Sequence, residues 1–207
     1  MKKLLTEIYR PKNINDLILE PKLFDILQNM IKLQKIPNII LYGPPGTGKT
    51  STALCIAYTI INKEYYNDCI LEINASDNRC LDDIENIITF CKKKTNDKKI
   101  VILDEADILT KKSLKIIENL LDLNIIFIFT CNSKKSIIES IQSRCTILLF
   151  NKISDELIIN RLKYICENEK YENIDINNIA ILSNGDFRKA INLLELNINN
   201  KINNFNI

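Results

Sequence analysis

The sequence predicts an α/β protein, with a five-stranded parallel sheet between helices followed by a small all-helical domain. Three features carry this expectation. Gly43-Pro44-Pro45-Gly46-Thr47-Gly48-Lys49-Thr50 is a complete G-x-x-x-x-G-K-T loop between an apolar strand-like run and an Ala-rich helix-like run, the strand-loop-helix setting that lets such a loop cradle phosphates. Five short Ile/Leu/Val-rich runs with little alternation stand between helix-like stretches, as do strands covered on both faces of a parallel sheet. Beyond Phe150 only helical patterns follow.

Taken in order, the strands are expected at residues 38–42, 69–73, 100–103, 125–130 and 146–150. Their length and β-branched content favour strand over buried helix. A boundary near Asn151 assigns residues 1–151 to the α/β domain and 152–207 to the helical one. Ser154-Asp155-Glu156 is a capping signal for a helix reaching about Glu169, because the hydroxyl accepts from a free amide and the carboxylates suit the positive helix end. Further helices are expected at 175–182 and 186–197, and the Asn-rich stretch 197–207 reads as a frayed or a cut end.

Composition bounds the chemistry. With 207 residues and 46% hydrophobic content the chain can bury one good core and a small second one. A formal net charge of +2 is too small to announce nucleic acid. The seven cysteines, Cys55, Cys69, Cys80, Cys91, Cys131, Cys145 and Cys166, form no C-x-x-C pair, and histidine is absent. This predicts buried reduced thiols rather than zinc ligands or disulfides, and removes every histidine-based nucleophilic or metallohydrolase mechanism. No apolar stretch reaches membrane-spanning length without charges, and Met1-Lys2-Lys3-Leu4-Leu5-Thr6-Glu7 is too short an apolar start for a signal peptide. A soluble, intracellular protein without a membrane partner is expected.

Two constellations carry chemistry. In the first, glycines let backbone amides close around phosphates, and the start of the following helix adds its positive end. Lys49 would reach the β- and γ-phosphates, the Thr50 hydroxyl would ligate Mg²⁺, and Ser51 completes the expected nucleotide-binding residues. In the second, Ile100-Val101-Ile102-Leu103-Asp104-Glu105-Ala106-Asp107, an apolar strand delivers carboxylates to the sheet edge where ligands bind. Asp104 is placed to hold Mg²⁺ directly or through water, and Glu105 to orient and deprotonate an attacking water.

Together with Thr130-Cys131-Asn132, Ser143-Arg144-Cys145 and Gly185-Asp186-Phe187-Arg188, these motifs resemble a small subunit of the replication factor C clamp loader, an AAA+ P-loop ATPase. Tyr9-Arg10-Pro11-Lys12 and Leu71-Glu72-Ile73-Asn74-Ala75-Ser76-Asp77 strengthen the likeness, which covers essentially the whole chain in the family's order. The resemblance implies ATP and Mg²⁺ as ligands and a helical lid over the nucleotide. It implies Asn132 as the first sensor beside the γ-phosphate, Arg144 as an arginine finger reaching a neighbouring subunit's site, and Arg188 as the second sensor in the lid. Tyr9, Arg10 and Pro11 match the segment near the adenine, and Arg79 matches a DNA-phosphate contact.

Implied partners are the other clamp-loader subunits in a pentameric hetero-oligomer, a sliding clamp and primer-template DNA. Where the family continues with Gly-Ile after the arginine, this chain has Cys80-Leu81. The lysines at 92–94 and 98–99 read as solvated charge flanking a loop. The stretch 111–124 is shorter than the family's, and the helical collar that follows the family's lid is absent from a chain ending at Ile207. The leading expectation is an ATP-hydrolysing clamp-loader subunit. A non-hydrolysing scaffold subunit, or another AAA+ DNA-processing ATPase such as a helicase loader or branch-migration motor, remains open beside it.

Overall fold

The computed structural model describes residues 4–76, 80–95 and 97–204. All five strands form, as β1 (Ile39–Tyr42), β2 (Ile70–Asn74), β3 (Lys99–Asp104), β4 (Ile125–Cys131) and β5 (Thr146–Leu149). They lie in the order β2-β3-β4-β1-β5 with every pairing parallel. Ile39 is in register with Ile128 on one side and Thr146 on the other. The three central strands, β3, β4 and β1, lack alternation because both their faces are buried. Successive side chains point to opposite faces, so Ile39 and Leu41 join Ile100, Ile102 and Ile128 in one core, while Ile40 joins Val101, Leu103, Phe127 and Phe129 in the other.

The helices are α1 (Leu5–Ile8), α2 (Pro21–Lys32), α3 (Lys49–Ile60), α4 (Tyr66–Cys69), α5 (Cys80–Lys92), α6 (Lys111–Glu118), α7 (Glu139–Gln142), α8 (Asp155–Glu169), α9 (Ile176–Ser183) and α10 (Phe187–Asn204). Leu27 of α2 and Ala53, Ile56 and Ala57 of α3 cover the first core. Ile84 and Ile87 of α5, Leu114 and Ile117 of α6 and Ile141 of α7 cover the second. Local chemistry sets the helix starts. Pro21 occupies the first position of α2, where its missing N–H costs no helical bond. Thr110 caps α6 by accepting from the Ser113 amide at 3.1 Å.

Residues 155–204 build the helical domain. Ser154 accepts from the Leu157 amide at 3.4 Å, Asp175 from Asn178 at 3.0 Å and Asp186 from Lys189 at 2.9 Å, so each helix begins on a side-chain oxygen. α10 runs to Asn204, beyond the frayed end expected from Asn197. Ile198 continues the apolar face of Ile191 and Leu194 into the same core, and Asn197 bonds back to the Leu193 carbonyl, which carries the helix onward.

Two further differences concern the amino-terminal segment and the lysines. Leu5 is buried among Ile158, Leu162, Ala190 and Leu194, and its amide donates to the Glu195 carboxylate. Tyr9 donates its hydroxyl to Glu169 at 2.8 Å. α1 therefore packs with the helical core, although it precedes the sheet in sequence. Lys99 is not solvated: only 4% exposed, it donates to the carbonyls of Phe90, Cys91 and Lys93. It thereby satisfies the carbonyl end of α5. Lys93 keeps the expected exposure, pairing with Asp68 at 2.6 Å. Among the described residues no helix is long and apolar enough to cross a membrane.

Candidate active site

β4 lies between β1 and β3, so the loop after β1, Asn132 after β4 and Asp104 at the end of β3 are neighbours along one sheet edge. That edge is where open α/β sheets bind ligands. A cleft of about 630 Å³ occupies it, lined by residues 45–51, the strand ends 104–105 and 130–132, Tyr9, Arg10 and Pro11, and by Ile153, Arg161, Phe187, Arg188 and Ile191 from the helical domain.

The Gly-rich loop is shaped by its backbone. Gly48 adopts φ +93° and hands its carbonyl to the Thr52 amide at 2.8 Å, starting α3. Gly46 has φ +70°, and a Cβ there would meet the Asp186 carboxylate at 1.8 Å. Its carbonyl accepts from the Phe187 amide at 3.1 Å, so this glycine also lets the helical domain seat on the loop. Thr47 donates its hydroxyl to the Pro44 carbonyl at 2.9 Å.

Lys49 is 9% exposed. Its ammonium donates to the Gly43 and Pro44 carbonyls at 2.8 and 2.7 Å and faces Asn132 Oδ1 at 3.5 Å. Gly43 and Pro44 thus sit behind the lysine, outside the cleft lining. Burial pulls the Lys49 pKa below that of an ordinary lysine. Cys131, Asp104 and Asp107 act against that pull, and Arg188 adds to it.

Thr50 donates its hydroxyl to Asp104 Oδ1 at 2.7 Å, and the Thr130 hydroxyl donates to the same oxygen. Thr130 in turn accepts from the Glu105 amide at 3.1 Å. One carboxylate and two hydroxyls are hard oxygen donors of the kind Mg²⁺ takes. The described residues contain no group of three or more His, Cys, Asp or Glu side chains able to hold a metal, so an ion here would draw its remaining ligands from phosphate and water. Glu105 leaves β3 in a left-handed conformation, φ 54°. For a residue other than glycine this is strained backbone of the kind functional sites retain.

Of the residues expected from sequence, Lys49, Thr50, Ser51, Asp104, Glu105, Asn132 and Arg188 meet in this cleft with Tyr9, Arg10 and Pro11. Arg144 does not. It follows α7, with Nη1 3.3 Å from each Asp122 carboxylate oxygen and 3.4 Å from the Glu118 carbonyl. Arg79 lies outside the described residues.

The sequence reading missed two participants. One is the Thr130 hydroxyl; a threonine ending a fully apolar strand was its signal. The other is Arg161 of α8, which lines the cleft with its Cζ 5.0 Å from the centre of the Tyr164 ring. Tyr164 meets Tyr9 edge-on at 6.5 Å. Arg161 borders the buried stripe of Ile158, Leu162 and Ile165, and a cation bordering such a stripe was its signal.

The model of the family described as "ATPase family associated with various cellular activities (AAA)" matches residues 39–153. The chain is 42% identical over 197 residues to a putative replication factor C small subunit of Acanthamoeba polyphaga mimivirus, covering 91% of this chain and 61% of that relative. It is 38% identical to replication factor C subunit 5 of Homo sapiens, covering 91% and 58%. To the replication factor C small subunit of Picrophilus torridus it is 39% identical, covering 92% and 62%. The chain thus spans about three fifths of the length of these relatives. Among solved structures it is similar to the Thermotoga maritima RuvB Holliday junction branch migration motor, with TM-score 0.71 and 19% identity over 90% of this chain and 64% of that one. That likeness bears on the fold alone.

Proposed function

The chain belongs to the AAA family of ATPases, and from that premise we propose that it is an ATP-hydrolysing subunit of a sliding-clamp loader. ATP binding would assemble it with further subunits, open a clamp and grip primer-template DNA; hydrolysis would release the clamp around the duplex. The observation that carries this reading is the convergence of Lys49, Thr50, Asp104, Glu105, Asn132 and Arg188 on one cleft. Similarity to replication factor C small subunits along nine tenths of the chain supplies the clamp-loading context.

In this reading the amides of the Gly-rich loop and the Lys49 ammonium take the phosphate oxygens. Glu105 accepts a proton from the attacking water as the new P–O bond forms and the bond to ADP breaks. Thr50 and Asp104 would hold Mg²⁺, which when bound neutralises charge on the β- and γ-phosphate oxygens. Arg188 opens α10 at the cleft wall, so its guanidinium ties phosphate charge to the position of the helical domain. Arg144, held at the surface by Asp122, would act on the cleft of a neighbouring subunit. Arg79 would touch DNA phosphate, a contact without sequence preference.

The test is steady-state ATP hydrolysis by the full-length chain against protein concentration, with and without primer-template DNA and clamp. A rate rising faster than linearly and stimulated by both supports the reading. A chain that binds ATP and supports clamp loading equally well as Glu105→Gln is a scaffold instead. A DNA-stimulated ATPase indifferent to any clamp is a different machine.

A further inference from the structure

We propose that Asp107 is the positioning residue of Asn132, fixing its amide so that the oxygen, not the nitrogen, faces Lys49 and the reacting phosphate. The proposal rests on the reading that this cleft hydrolyses a nucleoside triphosphate. Asp107 lies on the single 3₁₀ turn Ala106–Ile108 that follows β3, and Asn132 lies just beyond β4. Asp107 Oδ2 accepts twice from Asn132, from the backbone amide at 3.3 Å and from Nδ2 at 3.4 Å. An ionised carboxylate only accepts hydrogen bonds. The side-chain end turned toward Asp107 must therefore be Nδ2, and Oδ1 is left facing Lys49 Nζ at 3.5 Å. This chemistry settles an orientation that heavy-atom shape alone leaves ambiguous.

The other oxygen, Asp107 Oδ1, is buried and has no hydrogen-bond partner among the described residues. A buried acceptor left unpaired opposes folding, so the stability of the turn alone does not account for a carboxylate here. Its charge offsets part of the pull of burial on Lys49. Asp107 thus bears on two cleft residues without lining the cleft itself.

The consequence is chemical. Phosphate oxygens are acceptors, and Asn132 Oδ1 has no proton to give them. It can receive a hydrogen bond from the Lys49 ammonium or from the attacking water. Asn132 therefore aligns a donor for the reaction rather than gripping the γ-phosphate, and Asp107 enforces that alignment by holding Nδ2 away.

The experiment is a double-mutant cycle on the full-length chain under conditions where the wild type hydrolyses ATP. Asp107→Ala, Asn132→Ala and the double variant are compared by kcat, by affinity for a fluorescent ATP analogue and by thermal unfolding. The expected result is a loss of about tenfold or more in kcat for Asp107→Ala, affinity within about twofold of wild type, and a double variant no slower than Asn132→Ala alone. Asp107→Asn, whose own amide oxygen can accept from Asn132, is expected to retain most of the rate. Losses that multiply in the double variant overturn the proposal, as does an Asp107→Ala enzyme with wild-type kcat. Should Asp107→Ala unfold, the cycle is run with Asp107→Ser, whose hydroxyl is too short to reach Asn132. A wild-type chain that neither binds nor hydrolyses ATP in any assembly would instead defeat the functional reading on which this one rests.

Discussion

Thr130 stands where the two carboxylates at the end of β3 are set. Its hydroxyl donates to Asp104 and accepts from the Glu105 amide, so one side chain fixes both the proposed metal ligand and the exit of the residue proposed as base. Partners that orient a metal ligand are typically worth about 10–100-fold in metal affinity or activity. Thr130→Val, nearly isosteric, is expected to raise the Mg²⁺ concentration needed for half-maximal hydrolysis by about that factor, measured by Mg²⁺ titration at saturating ATP. The cysteines make the opposite case, side chains whose chemistry is suppressed. Burial pushes Cys145 up to about 12 and Cys55 and Cys131 up to about 11, and raises Cys69, Cys91 and Cys166 as well. Thiolate is the reactive form, so at pH 8 these six thiols should react slowly with a disulfide reagent in the native chain. After denaturation all seven cysteines of the sequence should react promptly. Prompt native reaction of several thiols would contradict the described packing.

α1 shows what a single turn of helix can do when its partners come from elsewhere. Tyr9 at its end donates to Glu169 at the close of α8, and Leu5 enters the helical core. Burial first, then Glu169, pushes the Tyr9 phenol up to about 12 from an ordinary 10. Below pH 10 the phenol is protonated whether the chain is folded or not. Between 10 and 12 the unfolded chain releases a proton that the folded one keeps, so stability falls as pH rises through that window. Tyr9→Phe is expected to cost about 1 kcal/mol at pH 8 and to flatten this alkaline fall; unfolding midpoints at pH 8 and pH 11 measure both. Elements were legible in the sequence where their physics is local. The strands showed in their Ile/Leu/Val-rich runs, and α8 showed in Ser154 and the acidic residues after it. α1 was not, because four residues carry no helical period and their core lies at the far end of the chain. Lys99 was misread because a run of lysines looks solvated, while the demand it meets, the open carbonyls of α5, exists only after folding. Asp107 was read as part of an acidic motif, but its hold on Asn132 depends on β3 and β4 being neighbours.

At the scale of the molecule, the fold gathers residues 45–51, Asp104, Glu105, Asn132, Arg188 and the segment 9–11 at one cleft, with Gly43 and Pro44 behind Lys49. Arg144 stands apart, and its position decides between two roles. Its side chain is 43% exposed and bridges to an Asp122 side chain that is 73% exposed. An ion pair so open to water is worth roughly 0–1 kcal/mol, so as a structural contact Arg144 matters little. As an arginine finger supplied to a neighbour it would matter by about 10³–10⁵ in rate. Arg144→Ala is therefore expected to leave the unfolding midpoint almost unchanged while abolishing hydrolysis by the assembled protein. Mixing supplies the decisive measurement. An Arg144→Ala subunit keeps Glu105 in its own cleft, and a Glu105→Gln subunit keeps Arg144 for the next. Each variant alone has no complete site. In a random equal mixture of subunits that associate with one another, about a quarter of interfaces join an intact cleft to an intact arginine, one half multiplied by one half. Recovery of about that share of wild-type hydrolysis on mixing places Arg144 across the interface. No recovery in a mixture that still assembles means that Arg144 serves its own subunit or none, and the proposal that it acts across subunits fails with it.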